Sequence, residues 1–439
     1  INRASVHANG DNYSTFTGRS LDARTGQLQS SFALYEGNTN YGQIIICDGV
    51  NKPFYFHMEG TGALTTRTFF AEEIVVTSTH APSTCAVHDH HLVVAGAGAA
   101  KDTLYYSHNF EPENFNGAGA GNIKLSDQVI GLKSFRDDLI IFCRNSLHKL
   151  ININDANNIA IVPITQNVGC LSAQSIQEIG GDLVFLSPDG IRSVAGTSRI
   201  GDVELGSVSR QIQSITSDVA KAIDTYTITS SVLRSKSQYR LFYTIDGESI
   251  KVAKGIIGTL TANGFEWSET KGIQATGFKA GFSSNGVEKA FHGDGDGFIY
   301  NHDKGNSFYQ DAVAFNIEAQ YSTPNYDFGD IGTRKTLHYA KISITPEGEV
   351  QPTLRVRYDY EDPAIPQPPD YVLDSVTFPA IFGVSVFGDT IFGASNDPML
   401  RQAIQGSGHA CSFRISSVDQ SAPYAINGLY INYVPAGRR

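Results

Sequence analysis

Up to about residue 310 one pattern of apolar and polar positions returns six times: an apolar run, a turn rich in Gly, Asn or Asp, and a second apolar run. Ile44-Ile45-Ile46-Cys47 passes through Asp48-Gly49-Val50-Asn51 into Pro53-Phe54-Tyr55-Phe56. His91-Leu92-Val93-Val94-Ala95 passes a Gly-rich loop into Thr103-Leu104-Tyr105-Tyr106. Asp138–Phe142 turns at Arg144-Asn145 into Ser146–Leu150, and Asp182–Leu186 turns at Pro188-Asp189-Gly190 into Ile191–Val194. Tyr239–Tyr243 runs into Asp246-Gly247, and Lys289–His292 turns through Gly293–Gly297 into Phe298-Ile299-Tyr300. Asp-Gly and Asn-containing turns supply the positive φ that a tight hairpin needs, so each segment predicts a β-hairpin.

Aligned at Phe54, Leu92, Leu139, Leu183, Leu241 and Phe291, the hairpins recur about every 40–50 residues, the spacing of a four-stranded propeller blade. The expectation is an all-β chain with a β-propeller of about six blades; unrelated hairpins in a sandwich are the other arrangement the pattern allows. The widest interval, Leu183 to Leu241, holds a short helical insertion. Ile212, Ile215, Val219 and Ile223 share one helical face there, with Ser207 or Ser209 placed to cap its start.

From about Asp311 longer alternating strands follow: Ala312–Tyr321, Leu337–Ile344, Thr353–Tyr360, His409–Ile415 and Ala425–Val434. Leu354-Arg355-Val356-Arg357-Tyr358 alternates apolar and basic residues, as in a strand with one wet face. This region reads as a C-terminal β-sandwich-like domain or as strands extending the propeller. The expected organisation is an N-terminal segment 1–34, a propeller body 35–310 and a C-terminal β domain 311–439.

Residues 359–398 of that domain form a long loop that opens with Pro363, Pro366, Pro368 and Pro369. It then repeats Ile381-Phe382-Gly383, Val386-Phe387-Gly388 and Ile391-Phe392-Gly393 at a spacing of five. Three exposed Phe residues are unfavourable unless something buries them. Phe382, Phe387 and Phe392 are therefore expected to make an inter-subunit contact, with local self-packing as the alternative.

Composition agrees with many short strands: 25 Phe, 20 Tyr and 43 Gly stand beside one Trp and two Met. The net charge of −11 argues against a general nucleic-acid binder, which needs a basic face. It is compatible with a channel whose repulsive wall keeps DNA from sticking. Cys47, Cys85, Cys143, Cys170 and Cys411 are odd in number and contain no CxxC pair, so neither zinc nor a disulfide framework is expected. Cys47, Cys143 and Cys411 sit in apolar runs and read as buried thiols of a protein assembled in a reducing cytoplasm. No apolar stretch has the length of a membrane span, and no signal peptide is recognisable. The chain begins at Ile1 without Met, so preceding residues are expected to be missing or removed.

No catalytic, metal or cofactor site is expected. Asp294-Gly295-Asp296-Gly297 resembles the start of a calcium loop, but Phe298 and Gly305 occupy the fifth and twelfth positions where ligands belong. His88, His90 and His91 cluster around Asp89; on a strand His88 and His90 share a face that His91 does not, and a strand entry is the expectation. Gly96-Ala97-Gly98 and Gly117–Gly121 precede no helix and so do not suggest phosphate binding. Glu72-Glu73 and Asp137-Asp138 are adjacent on strands and point to opposite faces, so neither is an acid–base couple by itself.

Several stretches together resemble the tail hub proteins of short-tailed bacteriophages, known as tail nozzle, tail tubular or stabilisation proteins. They are Leu104-Tyr105-Tyr106-Ser107, Glu111-Pro112-Glu113-Asn114-Phe115, Ile130-Gly131-Leu132, Phe135–Leu139, Arg144–Leu147 and Val168-Gly169-Cys170. Gly181–Ser187, Gly190-Ile191, the Phe-Gly repeats, Gly406-Ser407-Gly408 and Pro423–Gly428 continue the series. The resemblance implies a propeller body with extra β elements, assembled as a homohexameric ring. That ring would continue the DNA channel below the portal and adaptor proteins. It also implies tail fibre or spike and tip proteins as further partners, and genomic DNA passing through without sequence-specific binding. Location in the virion tail, after assembly in the host bacterial cytoplasm, follows from the same resemblance. The chain is shorter than the largest tail hubs, so their additional fibre-docking or tip domains are expected to be absent.

The competing expectation is a glycan-binding or glycan-cleaving propeller for host recognition, with carboxylates and aromatics converging at its axis. The single Trp267 weakens it, because sugar sites favour stacked aromatics, although Tyr can substitute.

Overall fold

A computed structural model describes residues 29–35, 38–59, 68–77, 81–96, 98, 100–194, 208–245, 249, 252–295, 297–310, 313–374 and 399–438. The chain divides after His302 into two units, just before the change of pattern at Asp311.

The first unit holds six successive antiparallel sheets among the described residues. The first contains β1 (Gln29–Tyr35), β2 (Asn38–Cys47), β3 (Phe54–Glu59) and β4 (Thr68–Glu73). The second contains β5 (Thr84–His88), β6 (His91–Ala95), β7 (Thr103–Tyr106) and β8 (Gly121–Lys124). In the third lie β9 (Val129–Phe135), β10 (Asp138–Cys143), β11 (Leu147–Ile151) and β12 (Ala160–Thr165), and in the fourth β13 (Gln177–Ile179), β14 (Asp182–Ser187) and β15 (Gly190–Ser193). The fifth has β16 (Thr227–Leu233), β17 (Gln238–Thr244), β18 (Lys254–Thr261) and β19 (Gly264–Lys271), and the sixth β20 (Gly277–Phe282), β21 (Glu288–Gly293) and β22 (Ile299–Asn301). Strand order within every sheet follows the chain. The six hairpins read from the sequence are β2–β3, β6–β7, β10–β11, β14–β15, β17–β18 and β21–β22. β1 begins at Gln29, inside the stretch 1–34 that carries no apolar pattern; pairing with β2 makes it a strand.

The central strands β6, β10 and β14 are apolar runs because both of their faces are covered. In β10, Leu139 and Ile141 pack with Val93 and Leu104 of the second sheet, while Ile140 and Phe142 pack with Leu183 and Phe185 of the fourth. In β17, Tyr239 and Leu241 meet Val184 and Leu186 of the fourth sheet, while Phe242 meets Phe278 of the sixth. Each such side chain contributes about 1.5–3 kcal/mol by leaving water. The sheets thus stack face to face, as propeller blades do.

The leading strands touch in series, β1 with β5, β5 with β9, β13 with β16 and β16 with β20. Side-chain hydroxyls stitch them. Thr84 Oγ1 accepts from Leu132 N at 3.2 Å, Thr229 Oγ1 from Phe278 N at 2.9 Å and Ser231 Oγ from Ala280 N at 3.0 Å. Ser230 Oγ donates to Gln174 O at 2.5 Å.

The helical insertion is α1 (Gln213–Lys221), flanked by single 3-10 turns at Arg210–Ile212 and Ile223–Thr225. Ile212 and Val219 are buried against Ile191 and Tyr239, with Ile215 and Ile223 packed beside them. Ser209 makes no side-chain cap; its hydroxyl accepts the Ile191 N–H at 2.9 Å and ties the insertion to β15 instead. Ser207 lies outside the described residues.

The second unit is a sandwich. After a small hairpin, β23 (Phe308–Gln310) and β24 (Val313–Phe315), one sheet runs β25 (Ile317–Ser322), β31 (Cys411–Asp419), β27 (Thr353–Tyr358) and β28 (Tyr371–Val372). The other is built on β26 (Thr333–Pro346), with β32 (Tyr424–Arg438) along one edge and β29 (Met399–Ala403) and β30 (Ser407–Gly408) along the other. One core fills the space between them, including Leu337, Ala340, Ile342, Leu354, Val356, Tyr358, Phe413 and Ile415. A register shift at Leu337/Tyr339 lets Leu337 and Ala340, three apart, both face inward. Among the described residues no helix is long and apolar enough to cross a membrane.

Candidate functional site

The residues singled out for chemistry mostly hold turns together. Asp89 and His90 form the β5–β6 turn with φ of 46° and 65°, so His88 and His91 are paired across it and do not line one continuous strand. His91 is buried, its Nδ1 2.6 Å from Ser107 O and its Nε2 2.9 Å from Asn154 Oδ1. His88 Nδ1 lies 3.0 Å from Ser134 Oγ, and burial holds its pKa below the usual imidazole value. His90 stacks on Phe110 with ring centroids 4.0 Å apart.

Asp294 Oδ1 accepts the Phe298 N–H at 2.9 Å and closes the β21–β22 turn, with Gly297 at φ 93°. Asp138 pairs with Lys149 across the β10–β11 hairpin at 3.0 Å. Trp267 donates its indole N–H to Val208 O at 2.7 Å, and its ring lies where a Cβ on Gly258 would stand. Each has a structural task.

All five cysteines are free and buried. Burial pushes the thiols of Cys143, Cys170 and Cys411 up to about 12, and that of Cys47 well above the ordinary range.

Two arrangements stand out. The first is a knot of turns that joins the third and fourth sheets. Asp127 accepts the Asn145 N–H at 2.7 Å and the Ser146 hydroxyl at 3.1 Å. Gly169 sits against that turn so closely that a Cβ would come within 2.0 Å of Arg144 O. Cys170 N–H then donates to Cys143 O at 2.8 Å, and Leu171 N–H to Leu186 O at 2.9 Å. The loop after β7 is fixed likewise, by Asn114 Nδ2 on Glu111 Oε2 at 2.6 Å and by His108 N–H on Asn114 O at 2.8 Å.

The second is a groove in the sandwich, between the outer edges of β25 and β32. It has two lobes of about 350 and 600 Å³ that share Tyr321 and Ile426. Its larger lobe is lined by Tyr321, Tyr326, Phe328, Leu429, Ile431 and Tyr433, with Phe328 and Tyr433 rings 4.4 Å apart. Tyr321 is 53% and Tyr326 41% exposed. The rim is rigid, since Tyr326 exchanges backbone hydrogen bonds with Cys411 at 2.8 and 3.0 Å. No composition signal marks this groove; it exists only because β25 and β32 meet in space. Phe382, Phe387 and Phe392 lie outside the described residues, as do Glu72's side chain, Ala97 and Asp296.

No family model matches the sequence, and no curated protein matches it. Among solved structures, an exo-beta-1,3-galactanase from Phanerochaete chrysosporium is similar at 8% identity and a TM-score of 0.28, over 95% of this chain and 97% of its own. Hsv2 from Kluyvelomyces marxianus is similar at 10% identity and 0.33, over 79% and 98%. A post-proline cleaving enzyme from Rickettsia typhi is similar at 10% identity and 0.31, over 69% and 48%. Likenesses this distant carry no argument about activity, and the all-β class rests on the strands themselves.

Proposed function

We propose that this chain is a structural component of a phage tail, a nozzle or hub ring that continues the DNA channel below the portal and adaptor. In this reading the six sheets close as blades of a propeller, and six copies form the ring. The ring sits in the virion tail, having assembled in the bacterial cytoplasm, and serves DNA retention and ejection. Fibre or spike and tip proteins dock on it, and genomic DNA crosses its lumen without sequence-specific contacts.

The observation that carries the reading is where the hub-like stretches fall. Arg144–Leu147 and Val168-Gly169-Cys170 form the knot between the third and fourth sheets, and Glu111–Phe115 is the braced loop of the second. Residues that set how one sheet meets the next are those an architectural protein needs. The net charge of −11 suits a wall that DNA must slide past.

Electron microscopy of the purified full chain tests this directly. Rings with a DNA-sized hole are the expected result. A protein that stays monomeric at every concentration, and instead depolymerises a host surface glycan, overturns it.

A further inference from the structure

We propose that the groove between β25 and β32 receives the Phe-Gly segment, residues 375–398, of a neighbouring copy of the chain. The inference rests on the ring reading above and assigns its subunit contact to a surface.

Strand order carries the argument. In one sheet β25 and β28 are opposite edges; in the other β32 and β29 are. β25 faces β32, because both line the groove. β28 faces β29, because Tyr371 Oη accepts the Gln405 N–H at 2.9 Å just beyond β29. The sandwich therefore has a groove side and, across it, a β28/β29 side. Segment 375–398 follows β28 and precedes β29, so it leaves from the side away from the groove. A segment whose two flanks lie on one side and a groove on the other are the two halves of a head-to-tail contact, the kind that closes rings.

The chemistry matches. The larger lobe offers four aromatic rings and the aliphatic side chains of Ile426, Leu429 and Ile431, with Thr323 and Asn427 as polar neighbours, and Asp419 at the rim of the smaller lobe is the one charged lining residue. The segment brings three Phe, each followed by a Gly that lets backbone approach closely. The outer edges of β25 and β32 have no strand partner among the described residues, so an incoming extended chain finds free backbone groups as well.

The test uses full chains with two different tags, one carrying Phe387→Cys and the other Tyr321→Cys. The five native thiols are buried and contribute no background. Co-expression and mild oxidation should give a two-tag disulfide dimer as the main product. Adding Gly428→Trp to the Tyr321→Cys chain should cut that product roughly tenfold, since a Cβ at Gly428 meets only open space and the ring fills the larger lobe. Rings that form without the two-tag product overturn the groove assignment and leave the hub reading intact; so does a double variant that cross-links only within one chain. A monomer without any product removes both.

Discussion

The two units cover their strands in opposite ways. In the first, a central strand such as β10 is buried on both faces, and a separate core lies at each junction between sheets. In the second, β27 turns Leu354, Val356 and Tyr358 inward and Arg355 and Arg357 outward, and all its apolar residues share one core. Stacked sheets make a row of local cores; a sandwich makes a single one. Damage to the first unit should therefore be confined to a junction, whereas damage to the second should spread through the whole sandwich.

The sharpest way to break the comparison is to empty one core in each unit. Phe185→Ala and Phe413→Ala each remove a fully buried ring and should cost about 4 kcal/mol. Calorimetry should show each variant lowering its own transition only; transitions that move together would mean that the units do not unfold separately. Next in size is Asp189→Ala. It leaves the buried Arg192 guanidinium without the carboxylate that holds it, and should cost roughly 3 kcal/mol. Urea unfolding followed by fluorescence of Trp267, the only Trp, reads this loss in the first unit.

Acid should act on the sixth sheet before the sandwich. Burial holds His292 down to about 4 against the opposing pull of Asp294, and its Nδ1 lies 2.7 Å from His302 Nε2. The unfolded chain, near 6.5, binds a proton first, so this stability is present above pH 6.5 and is lost as pH falls toward 4. The loss should be roughly 2 kcal/mol, and it should vanish in His292→Gln when both proteins are unfolded across that range. The smallest effect is expected on the wet face of β27. Arg355 and Arg357 clamp Asp370 at 2.7 and 2.9 Å, yet the cluster is half-exposed. Asp370→Asn should cost under about 1 kcal/mol and less still in high salt.

The hairpins were legible because central strands such as β6, β10 and β14 are apolar on both faces and the turns carry Gly, Asn or Asp. The leading strands were not. β13 is Gln177-Glu178-Ile179 and β16 carries Thr229, Ser230 and Ser231, polar because their side chains bond to the backbone of the adjacent sheets. The helix was visible through Ile212, Ile215, Val219 and Ile223, although the serine expected to cap it serves another strand. His88, His90 and His91 were expected at a strand entry on one strand, whereas Asp89 and His90 form a two-residue turn that sets His88 opposite His91. The groove was illegible for a different reason: Tyr321 and Tyr433 meet only through pairings between distant strands.

Those pairings also set a timetable. Each sheet of the first unit is made of consecutive strands, so it can form as its residues leave the ribosome. The sandwich must wait, because β25 pairs with β31 and β26 with β32, each nearly a hundred residues later. Until Tyr424–Arg438 has been synthesised, β26 shows an open edge to every nascent neighbour. Synthesis of Tyr424–Arg438 is thus the moment at which β26 stops offering its long edge to its siblings.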